Sequence, residues 1–579
     1  MTTLPPVTAE VASAALDSLP TRLRKRADST AAKAANWPVA VTDATVVVRV
    51  DDATTVTLTT TAGVVTSAED AVCSCLLAPA CLHRAAVLTL APLAEETDGP
   101  ATTAVVPSDA GDSAPVPPET GVLDLTPPQS AAVHALRTAA TAVLAAGVTG
   151  SGAVHRATLL HAAHSARVAG LHRAAAAAVR VARRLSEAGT GDPAFRLPEL
   201  ASELAELLTV AVGLRRAPDP DLIGAARRAY TANGSLRLHG LFTEPVVTAS
   251  GYAGAVTYAL AQDGRLHSLS DVAPGDADRA RRAAGSAVPG GSALTLRELG
   301  DHGGAILTDP TVSPDGRIGG GGAVRSVRAS GARWHEEPLD TLWRRSPADQ
   351  VAAALRWSAE PADERDAGGD LLFLTGTITG GGFAVDGGPT VRLLAPDERP
   401  ELPYVENLRL LAGAHGLALR LVARLAADRP SGVRALATAW QGTDGDPIRA
   451  DLGLRRLNRT HLPRTGVPSV PAPALPTELD LLRRAVDRAV AGGRAVTAAV
   501  ADGELPRRLA AVGLTTGAAC ARALVDTASD RRHDALGRLR PADPEAYAHA
   551  WLASSTYASA ATASLLTAAW APEEDHDPA

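Results

Sequence analysis

Lysine is nearly missing from this chain of 579 residues and stands only at Lys25 and Lys33. That absence excludes a phosphate-binding loop with its G-K-[ST] ending, a kinase strand lysine and a Schiff-base lysine anywhere after residue 33. The glycine runs GRIGGGGAV (316–324) and TGTITGGGF (375–383) therefore read as tight turns and not as phosphate cradles. Aromatic residues make up only 3%, so the cores have to be built from Ala, Leu and Val, with many small contacts and few large anchors. Four cysteines in so long a chain do not make a disulfide framework. No uncharged apolar run of about eighteen residues occurs, which argues against a membrane span. The opening MTTLPPVTAEVASAALDSLP places Pro and acidic residues where a secretory signal needs a basic region and an apolar stretch. A cytoplasmic protein is expected.

Two further motifs are missing. VTGSGAVHR around Ser151 does not meet the G-x-S-x-G spacing of a nucleophile elbow, and HEEPLD at His335 lacks the second histidine of H-E-x-x-H. The net charge of −7 and the isoelectric point near 6.1 argue against a protein that coats DNA. Arginine supplies almost every positive charge, a pattern of high-GC coding that is not itself evidence for phosphate binding.

What is present suggests three or four domains in 59.1 kDa. Two Pro-rich seams stand out, one at 95–121 and one at 463–476. They divide the chain into a small module (1–94), a linker (95–125), a helical region (126–230), a β-rich mixed region (231–462), a second linker (463–476) and a helical C-terminal region (477–579). No internal repeat at solenoid periods is visible.

Local patterns fill in this outline. TVVVRV and TVTLTT alternate like half-buried strands around a turn at Asp51-Asp52-Ala53, Val64-Val65 is a third short stretch, and LHRAAVLTLA is helix-like. Thr126, Pro127 and Gln129 form a helix start with a capping box. AVTYALAQDGRLHSL reads as a hairpin about Asp263-Gly264, with further strands at DLLFLTGTI, LALRLVARL and VRALATAW. After Pro476, Leu479, Leu482, Val486 and Val490 recur at helical spacing.

The densest chemistry lies in VCSCLLAPACLHR, residues 72–84, which holds three of the four cysteines and a histidine. Cys73, Cys75, Cys81 and His83 supply three thiolates and one imidazole, the Cys3His set of a closed tetrahedral zinc site. The C-x-C and C-x-H pairs each put two ligands on one side of the backbone, and the intervening LLAPA loop lets the second pair fold back on the first. Soft thiolates suit Zn2+. Four protein ligands leave no open position for a reacting water, so the metal is structural and not catalytic.

A C-x-C-x(n)-C-x-H run after a β-hairpin and before a short helix resembles the SWIM zinc finger, and the likeness covers roughly residues 40–95. The wider layout is similar to bacterial, especially actinobacterial, SWIM zinc-finger proteins. The resemblance implies a ββα zinc-bound module that binds DNA or proteins.

Other candidates carry less. His155, His161, His164 and His172 share an Ala-rich helical region, but no Asp, Glu or Cys is interleaved with them, so they read as solvated or capping histidines. Cys520 sits in a helix among alanines with no charge to activate it. RLRKR (22–26) is the concentrated positive stretch near the finger. Arg22, Arg24, Lys25 and Arg26, with Lys33 and Arg84, are the expected phosphate contacts, against the alternative of a solvated helix face. Any nucleic-acid contact is expected on this module, and Leu76, Leu77 and Leu82 offer a protein-docking surface instead.

The reading is a multidomain α+β protein: an N-terminal ββα zinc-bound SWIM-like module, helical and β-rich central regions, and a helical C-terminal domain. Its expected role is that of an interaction adaptor binding protein or nucleic acid, with no membrane partner. The rival is an enzyme with an active site in the β-rich 231–462 region, which a pocket of converging carboxylates would support.

Overall fold

The computed structural model describes residues 4–94, 124–462 and 477–571, less isolated residues and pairs, the stretches 20–22, 24–26, 225–230, 320–323 and 443–446, and most of 532–541. Helix and sheet are mixed, as an α+β chain requires. Two compact units interleave along the sequence. The first comprises Met1–Arg227, Val486–Asp502 and Arg522–Ala553; the second comprises Arg228–Ala485, Gly503–Ala521 and Ser554–Ala579.

The first unit opens with helices α1 (Ala9–Asp17) and α2 (Ala27–Ala34). A four-stranded antiparallel sheet follows, β1 (Val39–Thr42), β2 (Thr45–Arg49), β3 (Thr55–Thr59) and β4 (Ala71–Cys73), in that spatial order. Period-2 alternation sends Val46, Val48, Val56 and Leu58 to the buried face. The turn between β2 and β3 closes on Asp51, whose Oδ1 accepts from the N–H groups of Ala53 and Thr54. The expected ββα module thus has two more strands than the alternation revealed. Most of β1 is exposed and shows no alternation, and β4 is only three residues long. Val64 and Val65 make single bridges, Val65 to Val7, and not a strand.

Helix α3 (Leu82–Leu90) completes the N-terminal module. Beyond the first seam come α4 (Pro127–Gly150), α5 (Ala153–Val168), α6 (His172–Thr190) and α7 (Leu197–Arg216). The capping box at Thr126 and Gln129 forms as read. Val11, Val48, Leu58 and Leu88 from the N-terminal module share one apolar cluster with Leu136, Leu159 and Leu204 from the helices, and Val486 and Trp551 join it. The core does not follow the seams. Composition marks where the chain is polar; burial is decided by which apolar faces find each other. By length and composition α4 is apolar enough to cross a membrane, but Leu136, Ala140 and Leu144 on it are buried in this core.

Two helices of this unit are interrupted by glycines in the left-handed region, Gly147 (φ +69°) in α4 and Gly493 (φ +68°) in the helix Thr477–Ala499. The two kinks meet backbone to backbone. A Cβ on Gly147 would run into Gly493 N, and one on Gly493 into Ala145 O. A Gly493→Ala variant combines that overlap with an unfavourable φ and is expected to lose about 2–4 kcal/mol, read as a lower urea midpoint for the first unit. An unchanged midpoint would show that the kinks do not meet.

The second unit is built on two β-modules. The first runs β5 (Ser235–Val247), β6 (Tyr252–Ala261), β7 (Leu266–Pro274), helices α8 (Ala277–Ala283) and α9 (Leu296–Gly300), then β8 (Gly304–Thr308) and β9 (Arg325–Ala329), in spatial order β9-β8-β5-β6-β7. The hairpin at Asp263-Gly264 joins β6 and β7 as read. The second module runs β10 (Leu371–Thr379), β11 (Gly382–Val385), β12 (Thr390–Leu394), helix α10 (Tyr404–Ala412), β13 (Ala418–Leu425), β14 (Gly432–Gln441) and β15 (Pro447–Asp451). Its order is β12-β11-β10-β13-β14-β15, and β12 also pairs with β14 in parallel, which closes a barrel. Numbered within each module, the first five strands lie in the same order, 3-2-1-4-5, with helix between the third and fourth. One topology therefore occurs twice, visible in the strand order and not in the sequence.

Leu374, Phe383, Val391, Leu421 and Val433 fill the barrel, while Leu241, Phe242, Trp334, Phe373 and Val422 form a cluster shared by the two modules. Beside it the Arg424 guanidinium makes a bidentate pair with Glu244 at 2.7 and 2.8 Å, donates from Nε to Asp370 at 2.6 Å and reaches the Tyr258 hydroxyl at 3.0 Å.

Candidate metal centre

Cys73 ends β4, and strand alternation carries Cys75 to the same side while Ser74 faces away. Ser74 fixes that register: its N–H donates to Thr55 O and its Oγ accepts from Thr55 N–H, both at 2.9 Å. The chain then turns, with Ala78 N–H on Cys75 O at 3.1 Å, and returns at Cys81. Cys81 is the N-cap of α3, its Sγ accepting from Arg84 N–H at 3.4 Å, and His83 lies in the first helical turn. The ligand atoms of Cys73, Cys75, Cys81 and His83 all lie within 4.8 Å of one another. Among the described residues no other group of three or more His, Cys, Asp or Glu side chains gathers in this way.

The setting fits a cation. Cys73 and Cys81 are 5% and 1% exposed. The Nδ1 of His83 is buried without a hydrogen-bond partner, and Trp37 packs edge-on against that ring at 6.1 Å. Burial pushes the Cys73 thiol up to about 12 and raises Cys81 as well. Cys75 moves the other way: burial opposes ionisation, but the Leu77 N–H and the neighbouring thiols stabilise its thiolate. Three crowded sulfurs, two of them held back from ionising by burial, are a poor resting state for a buried site. A divalent ion that replaces the thiol protons resolves it. Three thiolates and an imidazole with no fifth group match a closed Cys3His zinc site, in which the metal would supply a cross-link between β4, the turn and α3.

Arg84 requires a correction. It is 5% exposed and does not face solvent as a phosphate contact. Its Nε donates to Ala71 O at 2.7 Å, Nη2 to Ala68 O at 2.6 Å and Nη1 to Pro79 O at 3.4 Å. The guanidinium clips α3 to the strand and to the turn, and its charge lies close enough to Cys81 and Cys73 to favour their thiolates. Sequence reasoning missed this role because the three carbonyls are scattered over twelve residues. The position directly after the last ligand is the one available signal.

Of the other expected phosphate contacts, Lys33 is exposed at the end of α2, and Arg22, Arg24, Lys25 and Arg26 lie outside the described residues. Leu82 is half-buried against the core, whereas Leu76 and Leu77 project into solvent. His161 and His164 are exposed on α5, and burial raises the Cys520 thiol, the wrong direction for a nucleophile.

Carboxylates do converge in the β-rich region, and they converge on arginines. Glu244 and Asp370 hold Arg424, and Asp301 and Asp451 hold Arg449 at 3.0 and 2.5 Å. Burial pushes Asp451 up to about 6 against the pull of Arg449, a perturbation that ion-pair networks produce without catalysis. A hollow in the first unit, lined by Leu16, Leu88, Arg156 and Leu160 among others, carries no carboxylate.

Comparison of the chain with known protein families, curated proteins and solved structures finds no match. The SWIM resemblance rests on the four ligands and their setting alone.

Proposed function

We propose that the chain is a zinc-stabilised interaction protein whose finger docks onto a partner protein through the knuckle between its ligands. The supporting observation is the exposure of Leu76 and Leu77, 104% and 64%, beside Val72 on the adjoining strand. Single exposed apolar residues are ordinary on any surface. Here two leucines stand side by side on a loop that ligands tether at both ends. A tethered loop loses little freedom on binding, and each leucine buried contributes about 1.5–3 kcal/mol. DNA binding by the finger has weaker support, because Arg84 is committed to backbone carbonyls.

The test is co-purification with the tagged full-length chain, in wild type and in a Leu76→Ser/Leu77→Ser variant, with and without nuclease. Protein partners that survive nuclease and drop at least about tenfold in the variant, at unchanged metal content, are expected. Partners lost to nuclease would transfer the finger to the nucleic-acid reading. Identical partners on both chains would end the docking reading.

A further inference from the structure

The barrel of the second β-module carries a surface for which the finger has no use. Its strand order 3-2-1-4-5, with the third strand (β12) parallel to the fifth (β14) and a helix between the third and fourth, is the order of the OB-type five-stranded Greek-key barrel. In that architecture the face of strands 2 and 3, with the 1–2 and 4–5 loops, forms a platform for oligonucleotides or oligosaccharides. Architecture alone does not assign a ligand, so the side chains have to decide.

Phe383 and Val391 point into the barrel and are buried, so alternation sends Gly382, Ala384, Arg392 and Leu394 outward. Neither β11 nor β12 contains an acidic residue. Arg392 is exposed on β12. The 4–5 loop closes directly against it: Arg392 N–H donates to Ser431 O at 3.0 Å, and Gly432 N–H to Arg429 O at 2.8 Å. Arg429 is exposed in that loop, and Arg434 follows on β14 opposite Leu394. Elsewhere in the unit arginines such as Arg424, Arg420 and Arg449 are neutralised by carboxylates. Arg392 and Arg429 have no carboxylate partner among the described residues. Across the face, the 1–2 turn is Gly380-Gly381, which lets a ligand backbone approach closely.

We propose that this face of the barrel binds the sugar-phosphate backbone of single-stranded nucleic acid. The strip between the glycine turn and the arginine-bearing loop is the path a single strand takes over such barrels, about 4–16 nucleotides in length. No outward position on β11 or β12 is aromatic, so base stacking contributes nothing there. Recognition is then through phosphate, blind to sequence and steeply salt-dependent. The proposal stands apart from the finger reading and does not need it.

The test uses the full-length, metal-containing chain and fluorescent oligo-dT of about 15 nucleotides, with a duplex of equal length beside it. Wild type should prefer the single strand and lose about tenfold in affinity between about 50 and 200 mM salt, the dependence for two to three phosphate contacts. Arg392→Glu/Arg429→Glu changes exposed positions and should leave the unfolding curve in place while lowering affinity at least about tenfold at low salt. The Leu76→Ser/Leu77→Ser chain should bind the oligonucleotide like wild type. Equal binding by the charge-reversed chain, preference for duplex, no binding by wild type at low salt, or loss confined to the finger variant would each overturn the proposal.

Discussion

A Cys81→Ser chain is expected to lose its metal and to melt the first unit well below the wild type. Wild-type protein, prepared without chelator, should carry about one zinc per chain, and the variant close to none. Cys81 is the most sensitive ligand because it is nearly inaccessible and also caps α3. A structural zinc supplies roughly 10–16 kcal/mol to a small finger, as much as the whole stability of an ordinary domain. The finger sheet buries only one face, so it has little to set against that loss. The damage should spread, because Val48, Leu58 and Leu88 belong to the same core as Leu136 and Leu204. The second unit has core clusters of its own and should keep its transition. Calorimetry of both chains, with metal analysis, reads all of this. Fresh wild-type protein without zinc, or a Cys81→Ser chain that retains metal and melts normally, would remove the zinc knuckle from the account.

The second large effect is expected at Arg424. Its guanidinium satisfies Glu244, Asp370 and the Tyr258 hydroxyl together, with the Glu244 side chain only 11% exposed. Arg424→Met would leave two carboxylates poorly solvated and unpaired, at a cost of about 3–5 kcal/mol. Replacing the carboxylates as well, in Glu244→Gln/Asp370→Asn/Arg424→Met, should recover part of that loss, since the penalty comes from uncompensated charge and not from missing volume. Urea unfolding of the single and combined variants gives the coupling. Strictly additive losses would mean that the three groups act independently.

What the sequence discloses and what it hides follow one physical division. The ligand set of Cys73, Cys75, Cys81 and His83 is legible because all four fall within eleven residues, where spacing nearly determines geometry. The strands Thr45–Arg49 and Thr55–Thr59, the Thr126 capping box and the Asp263-Gly264 hairpin are legible for the same reason: their signals are local. Arg84 was misread because its partners Ala68, Ala71 and Pro79 exist as a set only after folding. The barrel was hidden too. Its closure depends on the parallel pairing of Arg392 with Gly432, forty residues apart and across a helix. The Pro-rich seams mark divisions of the sequence, yet after the second seam Leu479 and Leu482 enter one core while Val486 and Val490, on the same helix, enter another. A helical period shows that a face is apolar; it does not say what the face meets.

The discontinuity of the first unit bears on how the chain is made. A ribosome delivers the finger and helices α4–α7 early, but Val486, Val490 and Gly493, and Trp551 with its indole N–H on Val486 O, emerge only after the strands of the second unit. At about 5–20 residues per second the stretch between Arg227 and Val486 takes on the order of tens of seconds to synthesise. During that interval every strand of the two β-modules, contiguous from Arg228 to the end of β15, is delivered, with Trp570 still to join the barrel cluster, while the first unit still lacks a larger part of its core. A metal ion held by Cys73, Cys75, Cys81 and His83 would cross-link the nascent knuckle before its remaining packing arrives, so metal supply during translation is expected to raise the yield of correctly assembled chains.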